Sequence, residues 1–490
     1  MKFSTEETNQ LNLPTVRYGR FLPSVVNRVL DIGTTPSQIY YGYEKYKSKP
    51  FRVPHMDGDL VVLPLKYLEE LKDLHPSQTS VVDAHYKNTL EQYINIPTNS
   101  DLPAYAVSIT LNRTFNRLIP RLILELHHAF SVVLPKCKND HVSINLYETI
   151  LRLLAHSLSR VIIGKKLWKN DLWINVIIHY TYDVCMTVIK LRSIPKFFRR
   201  LVFPFLSSVR NLEDRFQWIA EQLLIPMIRA RRQAEFTDPS YRKPDDFLQW
   251  MMDLADNDFD RDPTNLARGL MTTLALGVVQ TSAMLITHAI YDLMVHPEYL
   301  LSLRGEINDI LTDGWFRASQ SELDALHYLD SFLRESHRLN PTSVVSPLRS
   351  LKQPLTLSDG IVLPKGTRIC FPSGPMSCDP KIVPCPLIFD GFRWCKEPCS
   401  QGRSLTTIEV TNLHFGFGRQ ACPGRFFGSY IAKAVLSHFL MEYDIKFQDG
   451  HVGRPKNVVN GEHFMPNMDT VVLIKQARVK GTKVDDIERF

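Results

Sequence analysis

The longest apolar stretch of the chain covers residues 269–294. Thr272, Thr273, Gln280, Thr281, Ser282, Thr287 and His288 interrupt it. That mixture predicts a long helix buried inside a large protein rather than a span of bilayer. His296-Pro297 ends it, because proline cannot continue a helix. Apolar positions recur at helical spacing over 109–130, 303–311 and 321–339, and helical patterning dominates from about residue 65 to about residue 340. The tyrosine-rich segment 37–46 predicts a further amphipathic helix. Strand patterning is confined to short pieces. Segments 51–54 and 60–64 flank the turn Met56-Asp57-Gly58, and 355–357 and 361–363 flank Ser358-Asp359-Gly360. Strands are also predicted at 367–371 and 469–475. The fold class that follows is mainly α with a small, split β region.

The chain has 490 residues, 44% of them apolar and 22% charged, an ordinary globular balance. Length alone allows roughly two to four domains, but no linker, repeat or low-complexity segment divides the chain, so one domain over 1–490 is expected. Lysine and arginine number 58 against 51 acidic residues, and the excess of +7 is spread along the chain. Such a mild excess suits an acidic partner or an anionic membrane surface, not nucleic acid. Residues 1–30 contain no apolar run of the roughly 20 residues that a membrane anchor needs. Residues 195–206 interleave Lys196, Arg199 and Arg200 with Phe197, Phe198, Phe203 and Phe205, which fits a membrane-surface contact and equally a loop packed under helices. Of eight cysteines, Cys370, Cys378, Cys385, Cys395 and Cys399 fall close together. With no C-x-x-C among them, a zinc site has little support. No secretory signal is visible, so reduced thiols are expected.

The candidate chemistry gathers at residues 414–428, where Gly416, Gly418, Gly424 and Gly428 surround Cys422 and Pro423. A helical pattern with Tyr430, Ile431, Val435, Leu436, Phe439 and Leu440 follows at once. Cys422 is therefore predicted on a tight loop before a helix N-terminus, where free N–H groups and the dipole favour a thiolate. Gly418 and Gly424 let the backbone bend and approach a flat object closely. A soft anion on a stiff loop suits an iron ligand. Upstream, Glu335 and Arg338 share a helix face at i, i+3. A segment 389–394 carrying Arg393 follows the predicted hairpin.

The loop resembles the cysteine-ligand loop of the haem-thiolate monooxygenases, the cytochrome P450 superfamily, whose pattern is F-x-x-G-x-R-x-C-x-G. Phe415, Gly418, Cys422 and Gly424 match it, while Gln420 stands at the arginine position with Arg419 beside it. Residues 421–427, Ala-Cys-Pro-Gly-Arg-Phe-Phe, read like fungal members. The resemblance implies the P450 fold, with a long central helix over the haem and the cysteine-ligand loop beneath it. It implies haem b with Cys422 as the axial thiolate. Phe415, Gly418, Arg419, Gln420 and Gly424 are then expected around the cofactor, with Arg113 or Arg117 facing a propionate. Glu335, Arg338 and Arg393 match the family's E-x-x-R pair and its arginine partner, so their implied role is to pin the ligand loop. On the central helix the family pattern is A/G-G-x-D/E-T. Gly277 takes the small position against substrate and O2, Val279 stands at the acid and Gln280 at the threonine. Thr281 lies one residue later, about 100° round the helix. Gln280 with water, or Thr281, is expected to carry protons.

The implied activity is oxidation of a lipophilic small molecule, a terpenoid or similar secondary metabolite, using O2. The chain carries no G-x-G-x-x-G after a strand, so electrons would come from NADPH through a separate partner, the NADPH-cytochrome P450 reductase. Kinship further implies a monomer on the cytosolic side of the endoplasmic reticulum membrane. Val279 and Gln280 leave two alternatives open: a haem-thiolate isomerase or dehydratase that does not use O2, and a non-catalytic haem-binding paralogue.

Overall fold

The structure, a computed structural model, describes residues 12–17, 24–55, 58–88, 90–95, 100–167, 169–395, 403–448 and 453–477. Met56, Asp57 and Cys399 lie outside them. The apolar stretch is one continuous helical rod in three parts: an α-helix Pro263–Thr272, a π-helical turn Thr273–Val279 and an α-helix Gln280–Val295. Asp262 caps the start through the backbone N–H groups of Thr264 and Asn265, and His296 closes the end before Pro297. All residues from Ser282 to Asp292 are buried. They pack against the helices Leu146–Ile163, His327–Leu339 and Arg425–Glu442. By length and composition this rod and the helix Asp171–Arg192 are apolar enough to cross a membrane. The rod's apolar character is that of a core helix, as the sequence predicts.

A buried clamp fixes the rod to the helix His327–Leu339. Asp292 accepts from Ser336 Oγ at 2.6 Å, from Asn340 Nδ2 at 3.1 Å and from the guanidinium of Arg454. The β region is split as expected. One sheet has the strand order Phe51–Val53, Leu60–Val62, Arg368–Cys370, Leu348–Leu351, Thr79–Ser80, with only Leu60–Val62 and Arg368–Cys370 parallel. A second sheet joins Val142–Asn145, Val471–Gln476 and Tyr443–Phe447. Two hairpins complete the set: Leu355–Thr356 with Val362–Leu363, and Val458–Asn460 with His463–Met465.

Several expectations are corrected. The helix predicted over 109–130 is broken: Leu102–Ile109 gives way to a 3-10 turn Leu111–Arg113, and the long helix is Phe115–Val133. Thr114 causes the break by turning its hydroxyl onto the carbonyls of Thr110 and Leu111. Arg113 is therefore not on one helix face with Arg117 and Arg121. The helix predicted over 321–339 is two, Gln320–Ala325 and His327–Leu339, with a capping box at Ser319 and Glu322 starting the first. Segment 195–206 forms a short helix Lys196–Val202 and a 3-10 turn Phe203–Phe205. Phe198, Leu201 and Phe205 are exposed on it, while Arg199 is buried and donates to the Ile194 carbonyl.

The helix His327–Leu339 carries the anion that joins the α and irregular regions. Glu335 is fully buried and accepts from Arg338 Nε at 2.8 Å and Nη2 at 2.7 Å. Arg393 Nε at 3.1 Å, Trp394 Nε1 at 3.2 Å and the Asp390 backbone N–H at 3.1 Å complete its shell. Removing one partner of such a buried pair costs about 3–5 kcal/mol, because the remaining charges stay desolvated. Glu335→Ala should therefore lower the thermal unfolding midpoint sharply or abolish soluble expression. An unfolding midpoint within a few degrees of the parent would contradict this role.

Candidate active site

Pro423 and Gly424 lead into the helix Arg425–Glu442, so Cys422 sits on the turn before a helix N-terminus, as predicted. The loop is closed upon itself. The Cys422 N–H donates to the Phe415 carbonyl at 2.7 Å, and Arg425 Nη1 donates to the Cys422 carbonyl at 2.9 Å. Asn112 Nδ2, on the 3-10 turn beside Arg113, donates to the Pro423 carbonyl at 3.1 Å. The Cys422 side chain has an open face, yet burial raises its thiol pKa. The backbone N–H groups of Gly424 and Arg425 and the Arg425 charge oppose the shift. They are the donors a thiolate needs.

The central rod has a matching open face. Its flanks are buried, but Gly277 and Thr281 are exposed and Thr273, Leu276 and Gln280 half-exposed, a single stripe at helical spacing. A Cβ added at Gly277 would meet only Thr273 Cγ2, at 3.7 Å. The stripe begins in the π-helical turn, where the wider coil spoils the ordinary i→i−4 bonding. Thr281 Oγ1 donates to the Gly277 carbonyl at 3.0 Å. It is Thr281, not Gln280, that places a hydroxyl on the open face beside the small residue.

The other predicted site residues divide. Gly424 meets nothing within 4 Å where a Cβ would point, so it leaves the backbone open to a close neighbour. Gly418 has a different role. At φ +69° its missing Cβ points at the Lys72 carbonyl, and any side chain would collide with that backbone. It packs the loop onto the segment after Leu68–Leu71 rather than against a flat ligand. The Arg419 N–H donates to the same Lys72 carbonyl at 3.1 Å, and its side chain is exposed without a partner among the described residues. Gln420 Nε2 donates to Thr79 Oγ1 at 3.2 Å and to the Thr79 carbonyl at 3.3 Å, leaving Oε1 buried and unbonded. Phe415 packs on His337 with ring centroids 5.2 Å apart. Arg117 is engaged elsewhere: it lies 3.5 Å from Asp245, which also takes Arg121 at 3.1 Å. Arg113 is exposed and has no carboxylate partner among the described residues, so of the two candidates it is the one left available.

Sequence reasoning missed Arg349. It lies on the all-buried strand Leu348–Leu351 and donates to the carbonyls of Phe417, at 2.8 Å, and Leu71, while Nε has no partner. Burial pushes this guanidinium down to about 10, against the pull of Asp73. A charged residue inside a strand of four buried positions is the signal that would have found it. Arg334 was also missed. It stacks 4.0 Å over Trp394 and donates to Glu409 and to the Ser404 carbonyl, tying the ion-trio helix to the segment before the loop. Among the described residues no group of three metal-binding side chains occurs, and Cys399 lies outside them.

These features suit an iron porphyrin: a sulfur donor with N–H support, an open glycine beside it, and cations without carboxylate partners. A flat dianionic macrocycle needs all three.

The comparisons agree. Residues 116–467 match the family model "Cytochrome P450". The chain is 42% identical over 478 residues to the cytochrome P450 monooxygenase paxP of Penicillium paxilli, covering 97% of this chain and 92% of the relative. It is 43% identical to penP of Penicillium crustosum over 96% of this chain and 91% of the relative. It is 41% identical to AtmP of Aspergillus flavus, over 96% and 91%. Its fold matches the retinoic acid-bound cyanobacterial CYP120A1 with a TM-score of 0.69 at 16% identity, over 95% of this chain and all of that one. With that match and those whole-length identities added to the cysteine loop, the chain belongs to the cytochrome P450 family, as a haem-binding monooxygenase.

Proposed function

We propose that Cys422 is the axial thiolate ligand of haem b and that the enzyme oxidises a lipophilic secondary metabolite of terpenoid character. The observation that carries the ligand assignment is the Cys422 side chain, open on one face yet enclosed by protein. A haem held there would supply O2 activation. The chain's own residues supply the rest. Gly424 would leave room for the macrocycle, and the Gly424 and Arg425 N–H groups would donate to the sulfur against the upward push of burial on its thiol. Arg349 and Arg113 are the cations for the carboxylate edge, with Gln420 Nε2 and Oε1 holding neighbouring backbone or water in place of the family's arginine. Arg117, paired with Asp245, is not assigned to the haem.

Gly277 keeps the rod's open face shallow for substrate, and Thr281 holds a transferable proton there. Read one residue later than first expected, Gly277-Val278-Val279-Gln280-Thr281 aligns with A/G-G-x-D/E-T, Gln280 at the acid and Thr281 at the threonine. The Thr281 hydroxyl passes its hydrogen from the Gly277 carbonyl toward the chamber and regains one from water. Gln280 orients that water but is no acid. A hydroxyl so placed removes the motive for the isomerase and dehydratase readings. Electrons are supplied by a redox partner, taken as NADPH-cytochrome P450 reductase, and the chain acts as a single-domain monomer. Exposed Phe198, Leu201 and Phe205 beside Arg200 suit contact with the cytosolic face of the endoplasmic reticulum membrane.

Cys422→Ser should abolish the thiolate-type carbon monoxide difference spectrum of the reduced protein; an unchanged spectrum would move the ligand elsewhere. Thr281→Ala should keep that spectrum but lower product formed per NADPH by about tenfold, measured by product and peroxide yields. Gln280→Ala should do so more weakly. Unchanged coupling in Thr281→Ala would transfer the proton role to Gln280 and water.

A further inference from the structure

Gln420 stands two residues before Cys422, and its bonding capacity can be counted. The carbonyls of Leu74 and Thr79 can only accept, so the NH2 end of the amide must face them. Nε2 lies 3.4 Å from the Leu74 carbonyl, 3.3 Å from the Thr79 carbonyl and 3.2 Å from Thr79 Oγ1. Both of its N–H groups are thereby used. The remaining atom, Oε1, is buried and accepts from no donor. An amide turned this way has only an acceptor left to offer, and a carboxylate cannot satisfy it.

The amide cannot turn round, because it belongs to a seam. Segment 71–79 and the loop 417–420 are bonded to each other from both sides. The Arg419 N–H donates to the Lys72 carbonyl at 3.1 Å, and Gly418 lies so close to that carbonyl that no side chain fits there. Arg349 bridges the same two segments through the carbonyls of Leu71 and Phe417. The strand Thr79–Ser80, paired with Leu348–Leu351, closes the seam. Turning Nε2 away would strip a donor from the Leu74 and Thr79 carbonyls. Among the described residues Arg349 is the only buried cation of this seam. Arg113 and Arg419 are exposed, where salt and solvent screen their charge.

A cation near a redox centre favours the form that carries one more electron. Two residues of chain span at most about 7 Å, so a charge at position 420 acts on any metal held by Cys422 from close range. We propose that Gln420 is committed to the fold instead of to the cofactor, and that its neutrality holds the ferric–ferrous potential of the haem low. Gln420 is thus a positioning residue: it fastens segment 71–79 to the cysteine loop and touches no carboxylate. The inference rests on the haem-thiolate reading and deepens it. The carboxylate edge of the cofactor leans on Arg349 alone among the buried cations of the seam. The redox partner that supplies electrons has to be a correspondingly strong reductant.

The test is a spectroelectrochemical titration of the haem-loaded full chain. At an effective dielectric of about 20, a unit charge about 12 Å from the iron shifts the reduction equilibrium about tenfold, which is about 59 mV for one electron. Gln420→Arg keeps donors for the Leu74 and Thr79 carbonyls and adds that charge, so its potential should rise by about that amount. Gln420→Met removes the amide without changing the charge, and its reduction equilibrium should stay within about threefold of the parent. Where Gln420→Arg does not load haem, Gln420→Lys carries the same charge and is read in the same way. Each variant's carbon monoxide spectrum reports that it is folded and haem-loaded. The proposal is overturned if the added cation shifts the equilibrium by less than about threefold, or if Gln420→Met raises the potential as far as the cation does. Both results leave the haem-thiolate reading standing so long as the parent protein shows the carbon monoxide spectrum. Its absence in the parent protein would overturn that reading and this inference with it.

Discussion

Glu335 is an anion without access to water, and its surroundings make sense only as the means of keeping it there. Five hydrogen bonds converge on its two oxygens, from both arms of Arg338, from Arg393, from the Trp394 indole and from the Asp390 backbone. Each donor belongs to a different requirement of the fold. Arg338 Nη1 also donates to the Ser377 carbonyl at 2.8 Å, anchoring the short helix Ser373–Ser377. Arg393 spans to the carbonyls of Pro384, Cys385 and Ile388. Cys385 adopts a left-handed φ of +46°, which a non-glycine residue holds only under constraint, and the Arg393 contact to its carbonyl is part of that constraint. A lone buried ion pair is weak support for stability, but one carboxylate shared between two guanidiniums leaves no donor or acceptor to be desolvated for nothing. The same helix sends Arg334 to Ser404 and Glu409 and His337 to Phe415, so the cysteine loop inherits its position from this one anion.

The central rod answers to a different constraint. A regular α-helix would keep its carbonyls engaged and present a continuous ridge of side chains. The π-helical turn Thr273–Val279 relaxes that regularity, and at its end the Gly277 carbonyl accepts from Thr281 Oγ1 while the missing side chain at Gly277 leaves a shallow face. Rigidity is restored a few turns later by the Asp292 clamp with Ser336, Asn340 and Arg454. The rod can be irregular over the chamber because it is held firmly beyond it.

Legibility in the sequence followed the range of the physics involved. The Cys422 turn was legible because its chemistry is local: glycines, a proline and the onset of a helix within a few residues. The mainly α architecture and the Glu335, Arg338 and Arg393 trio were legible for the same reason, since spacing on a helix and a family pattern sufficed. Thr281 was named together with Gln280, and only the fold shows that its hydroxyl bonds the Gly277 carbonyl on the open face of the rod. Arg117 was indistinguishable from Arg113 until Asp245 was seen to claim it from a distant segment. Gly418 looked like a place of approach for a cofactor, and only the fold brings Lys72 against it. Arg349 was overlooked because its meaning lies in what surrounds it. The strands Val142–Asn145 and Tyr443–Phe447 escaped notice although both alternate apolar and polar residues, because each is only a few residues long and lies at an edge of its sheet.

Desolvation is the one force acting on every polar group around the chamber, and it sorts them by role. It raises the Cys422 thiol, lowers Arg349, and lowers His337 to about 4. A fold that meant only to be stable would have placed apolar residues at these positions, since satisfied packing costs less than stranded polarity. Where such groups are paired within the chain, as at Glu335, Asp292 and Glu462, their work is architectural. Where one is left with unused bonding capacity beside open space, as at Cys422, the partner has to arrive from outside the chain.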